Sequence, residues 1–156
     1  MGQDVNIHKL FHCVYALYYH LVICTKYRRK CIDADMLKRL RDIAALRCRG
    51  WRGELVEFNG EADHIHLLIS MPPNLNLSVF VNNLKTTSSR LIRKEFAAKL
   101  NRVYRKPVFW SRSYCIISVG GAPLAILKQY IEHQAAPSPP AKPKTAVAGA
   151  LAPKNR

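Results

Sequence analysis

Two histidines one residue apart, His64-Ile65-His66, are the first residues in this 156-residue chain that invite chemistry. They open the apolar run HIHLLIS, which reads as a strand over His64–Ser70. Side chains alternate faces along a strand, so both imidazoles point one way and Ile65 the other. Two imidazoles side by side make a bidentate site for a divalent metal. An isolated His-x-His is more often a pair of ordinary half-buried histidines. Here Leu67, Leu68 and Ile69 anchor the strand and strengthen the functional reading.

A second pair lies near the end of the chain. Pro123 suits the first turn of a helix ending near Gln134, and Tyr130 and Gln134 are neighbours on one face of it. Leu124, Leu127 and Ile131 form the adjoining apolar stripe, which leaves the Tyr–Gln pair at its edge. A tyrosine in such a place usually packs, but its phenol is also a nucleophile and the glutamine amide offers a metal a neutral oxygen. Glu132 and His133 point away from that edge, toward solvent.

Charge supplies the third signal. The chain carries 25 Lys+Arg against 10 Asp+Glu, a formal net of +15, with a pI near 10.0. One cluster is Lys26-Tyr27-Arg28-Arg29-Lys30, bases with an aromatic at hand for stacking. Another is Lys85, Ser88, Arg90, Arg93 and Lys94, interleaved with Thr86, Thr87 and Ser89; no acid occurs from Asn74 through Lys94. Hydroxyls mixed with Lys and Arg are the usual donors to phosphate oxygens. A polyanion is therefore the expected partner, bound largely through counterion release. Against an anionic membrane, no amphipathic stretch pairs a large aromatic face with a basic one.

The elements that must position these residues follow from pattern. Val14–Thr25 reads as a buried strand, Ala34–Cys48 as a helix capped by Asp33 and ended by Gly50, and Glu54–Phe58 as a strand joined to His64–Ser70 through an Asn59-Gly60 turn. A long helix over Leu77–Leu100 comes next, then a strand over Val108–Val119, a Gly120-Gly121 turn and the last helix. This βαββαβ order predicts an α+β, ferredoxin-like or RRM-like split βαβ fold, a four-stranded antiparallel sheet with helices on one face plus a C-terminal helix. The folded domain is expected over residues 1–134. Residues 135–156, rich in Pro, Ala and Lys, read as a disordered basic tail. The tail holds four bases, so residues 1–134 keep 21 bases against all ten acids, a net of +11.

The five cysteines, Cys13, Cys24, Cys31, Cys48 and Cys115, show no Cys-x-x-Cys spacing and read as buried free thiols. The polar start lacks the pattern of a signal peptide, and no apolar run approaches the ~20 residues of a membrane span. A cytoplasmic location is the expectation.

Taken together, HLVICTKYRRK (His20–Lys30), DHIHLLI (Asp63–Ile69), LKTTSSR (Leu84–Arg90), VFWSRSYCIISVGG (Val108–Gly121) and YIEHQ (Tyr130–Gln134) resemble, in order and spacing, the small single-tyrosine HUH transposases of the insertion sequence 200/605 family (transposase A type). The resemblance spans roughly residues 8–134. Ile23 stands where that family usually shows Trp, and the Pro-rich tail has no counterpart in the family core. The resemblance implies that His64, His66 and Gln134 bind a divalent metal, Mg²⁺ or Mn²⁺. It implies that Tyr130 attacks single-stranded DNA, often hairpin DNA at element ends, to give a 5′-phosphotyrosine. Imidazoles are not typical Mg²⁺ ligands, so Mn²⁺ should serve at least as well.

A non-catalytic RRM-like module is the rival from another class, but it would want Phe or Tyr where His64 and His66 stand, and no RNP-type motif occurs. A domesticated or inactive relative is the second rival. A long, sparsely charged edge strand over Val108–Val119 would be an aggregation hazard unless paired, which predicts a homodimer. The resemblance implies active sites shared between subunits, with Tyr130 delivered across the two-fold.

Overall fold

The computed structural model describes residues 8–10, 13–119 and 132. A small antiparallel hairpin, β1 (His8–Leu10) with β2 (Cys13–Tyr15), precedes β3 (Tyr18–Cys24). Then come α1 (Ala34–Gly50), β4 (Glu54–Glu61), β5 (His64–Ser70), α2 (Leu77–Glu95), α3 (Ala97–Val103) and β6 (Cys115–Ser118). The main sheet runs β4-β5-β3-β6 with every pairing antiparallel. This is the expected split βαβ arrangement.

The alternation of β3 and β5 sorts the sheet into two faces. Leu21 and Ile23 on β3, with Ile65, Leu67 and Ile69 on β5, bury against the helices. Asp33 caps α1 by accepting from the Met36 N–H at 2.9 Å, and Met36, Leu40, Ile43, Ala44 and Cys48 form its buried stripe. On α2, Phe80, Val81, Leu84 and Ile92 do the same. Fully burying such side chains contributes about 1.5–3 kcal/mol each. His64 and His66 share the other face with Val22, Cys24, Cys115 and Ile117. Core packing thus fixes which way the imidazoles point.

Four expectations need correction. The strand expected over Val14–Thr25 is broken: β3 matches β5 residue for residue from Tyr18↔Ser70 to Cys24↔His64, and the surplus pairs with β1 instead. The tight turn is Ala62-Asp63, with Asn59 and Gly60 inside β4. Gly60 serves packing rather than turning, since a Cβ there would lie 2.5 Å from Leu37 Cδ1 and 3.0 Å from the His64 carbonyl oxygen. The helix expected over Leu77–Leu100 breaks at Phe96 (φ −115°, ψ 32°), and α3 turns off so that Tyr104 reaches the Lys26 carbonyl. The strand expected over Val108–Val119 shrinks to Cys115–Ser118. Phe109 and Trp110 are both buried in the same helix-side core, so consecutive side chains there do not alternate across a sheet as a strand requires. That segment only touches β3's end through a Thr25↔Trp110 bridge. The last helix and the tail lie outside the described residues, Glu132 excepted, and it is exposed as expected.

Candidate active site

His64 and His66 are half-buried on the open face of β5. The Nδ1–H of His64 donates to Oδ1 of Asp63 at 2.8 Å, which leaves Nε2 as the nitrogen able to take a metal. Burial works to raise the Asp63 carboxyl, but hydrogen bonds from His64 and Arg28 outweigh it and hold the group below the usual carboxylate range. On the adjacent strand, Nδ1 of His20 lies 2.9 Å from Nε2 of His66. Burial, aided by the His20 and His64 rings and opposed by Glu57, lowers the pKa of His66. A neutral imidazole with an available lone pair is what a metal requires. His20 went unnoticed in the sequence because it sits two residues off the motif's register partner, Val22.

Two imidazoles are donors of the kind that a divalent transition metal takes. Among the described residues no group of three His, Cys, Asp or Glu side chains is set to hold a metal by itself. Gln134, which the resemblance makes the third ligand, and Tyr130 both lie outside the described residues. Tyr104 is no substitute nucleophile: burial raises its pKa, and its hydroxyl is spent on the Lys26 carbonyl at 2.8 Å.

The expected phosphate-binding residues divide. Arg29, Lys30, Arg90 and Lys94 are exposed, and Lys26 is half-buried. Arg28 is turned inward, its Nε and Nη2 both on Oδ2 of Asp63 at 3.0 and 2.8 Å. Lys85 donates to the carbonyls of Arg112 and Ser113, and burial, with Lys26 nearby, lowers its pKa. Arg93 donates to the Val108 carbonyl and to Asn101. Ser88 is buried, donating to the Lys85 carbonyl and accepting from Trp110, so its hydroxyl belongs to the core and not to a DNA surface. The helical stripe explains this, because Ser88 lies one turn beyond Leu84.

Residues the sequence reading missed join the exposed bases. A concavity of about 470 Å³ is lined by Lys26, Tyr27 and Arg29 together with Tyr104, Arg105, Lys106 and Arg112. The signal was present in the run Arg102–Lys106, which carries three bases in five residues.

Comparison with known proteins decides what this geometry belongs to. A family model described as "Transposase IS200 like" matches residues 13–134. The chain belongs to the IS200-like transposase family. It is 33% identical over 135 residues to a transposase for insertion sequence element IS200 of Salmonella typhimurium, covering 86% of this chain and 85% of that one. It is 36% identical over 125 residues to the ISDra2 transposase TnpA of Deinococcus radiodurans, covering 78% and 86%. A crystal structure of a candidate transposase from Deinococcus radiodurans r1 superposes with a TM-score of 0.76 at 32% identity, over 83% of this chain and 99% of that one. The REP-associated tyrosine transposase bound to a REP hairpin shares the fold, with a TM-score of 0.51 at 12% identity over 85% and 68%. As an IS200-like transposase, the chain functions in DNA transposition. Among the described residues no helix is long and apolar enough to cross a membrane.

Proposed function

We propose that this transposase cleaves and rejoins single-stranded DNA at a metal centre built on His64 and His66, with Tyr130 as nucleophile. The observation that carries the reading is the pair of half-buried imidazoles on one face of β5, His64 held through Nδ1 by Asp63 so that Nε2 is left for a metal. Gln134 supplies the third protein ligand. The divalent ion, Mg²⁺ or Mn²⁺, that these residues would hold would polarise the scissile phosphate and offset charge developing in the transition state. The Tyr130 oxygen attacks phosphorus, giving a 5′-phosphotyrosine and a free 3′-OH. An incoming 3′-OH reverses the step on a new partner, so bond energy is conserved without ATP.

The substrate is single-stranded DNA carrying a hairpin, a reading supported by the hairpin that the REP-associated relative binds. Phosphates lie along Arg29, Lys30, Arg90 and Lys94 and in the basic concavity. The functional unit is a cytoplasmic homodimer with active sites shared between subunits. The four-residue β6 at the edge of the sheet supports that reading less than a twelve-residue strand would, yet it still ends the sheet order with a row of backbone groups to pair.

Incubation of the protein with hairpin-bearing single-stranded oligonucleotides and Mn²⁺, followed by a denaturing gel, tests the proposal. A covalent protein–DNA band is expected from the wild type and not from Tyr130→Phe, and EDTA should abolish it. A band of equal yield from Tyr130→Phe, or one indifferent to EDTA, rejects the mechanism.

A further inference from the structure

Arg28 stands in a basic cluster but faces the metal site. Its side chain and that of Asp63 are only 16% and 10% exposed, and both Nε and Nη2 converge on Oδ2. The other carboxylate oxygen, Oδ1, holds Nδ1 of His64 at 2.8 Å. One carboxylate therefore joins a loop arginine to a metal-ligand histidine.

The backbone is bent to make this contact. Tyr27 (φ 58°, ψ 17°) and Arg28 (φ 49°) are consecutive non-glycine residues in the left-handed region. Such residues are strained and persist only where their surroundings hold them. Here the surroundings lead back to Asp63. Its carbonyl accepts from the Thr25 N–H at 2.9 Å and from the Thr25 hydroxyl at 3.2 Å, and that hydroxyl also reaches the Arg29 carbonyl at 2.8 Å.

We propose that Arg28 and Asp63 are positioning residues for the metal centre: Arg28 clamps Asp63, and Asp63 keeps His64 in the Nδ1–H tautomer with Nε2 directed at the metal. The inference rests on the metal-dependent reading above. It reassigns Arg28 from a phosphate contact to a residue acting through Asp63. A lysine could not replace it, because only the guanidinium offers two donors in a fixed fork.

Long-range ¹H–¹⁵N spectra of the metal-free wild-type protein read the tautomer directly, with His64 expected to carry its proton on Nδ1. In Asp63→Asn the proton should move to Nε2, and Mn²⁺ affinity by calorimetry should fall about 10–100-fold. Arg28→Lys should lower Mn²⁺ affinity in the same direction while keeping the charge. The wild-type spectrum needs no variant, so misfolding of Asp63→Asn does not remove the test. A wild-type His64 protonated on Nε2, or folded variants with unchanged Mn²⁺ affinity, overturns the proposal. So does Arg28→Ala if it lowers the salt slope of hairpin binding in EDTA by about 1, as a lost phosphate contact does, with Mn²⁺ affinity intact. Wild-type protein that shows the tautomer and binds Mn²⁺ but forms no DNA adduct refutes cleavage and leaves the positioning role standing. Failure of the wild type to bind Mn²⁺ refutes both.

Discussion

The indole N–H of Trp110 donates to the hydroxyl of Ser88 at 2.9 Å, inside the core between α2 and the segment before β6. Ser88→Ala leaves that buried indole donor without a partner, which costs about 1–3 kcal/mol. Urea unfolding should show the loss. Hairpin binding by the folded variant should keep its dependence on salt, because Ser88 is buried. A shallower salt slope in Ser88→Ala would return the residue to the DNA surface.

Thiol reactivity follows burial. Burial pushes Cys48 up to about 12, and burial, partly countered by Arg28, pushes Cys24 up to about 11. A raised pKa removes thiolate, so at pH 8 both buried cysteines are far less ionised than an ordinary thiol. Cys13 is exposed, contrary to the expectation of uniformly buried thiols. Alkylation of the native protein at pH 8, followed by peptide mass spectrometry, should label Cys13 and spare Cys24 and Cys48 until denaturant is added.

Close approach at Gly60 yields a packing prediction. A methyl at this position meets the Leu37 side chain and the His64 carbonyl, so Gly60→Ala should destabilise by about 1–3 kcal/mol. Thermal unfolding measures it. Unchanged stability would mean that α1 can move off β4 without cost.

If the proposed dimer shares its sites, two inactive variants should complement. Chains carrying His64→Ala and His66→Ala, mixed with Tyr130→Phe chains, should recover cleavage, because each heterodimer keeps one site with all its parts. Gln134 is four residues from Tyr130, so it travels with the nucleophile. Verified heterodimers without cleavage would place the tyrosine in cis.

The histidine pair, the capping role of Asp33 and the order of the sheet's elements were legible in the sequence, because each depends on contacts close along the chain or on a short repeat. Period-two alternation puts His64 and His66 on one face whatever they pack against. The family, too, was readable from five short segments. Tertiary structure alone decided the roles of Arg28, Ser88 and His20. Each is set by a partner 22 to 46 residues away, Asp63, Trp110 and His66 respectively, and composition does not encode which neighbour a side chain will meet. The same holds for Gly60 and for Val108–Val119. A glycine reads as a turn and a β-branched run as a strand until the opposing helix claims the space in one and the core swallows Phe109 and Trp110 in the other.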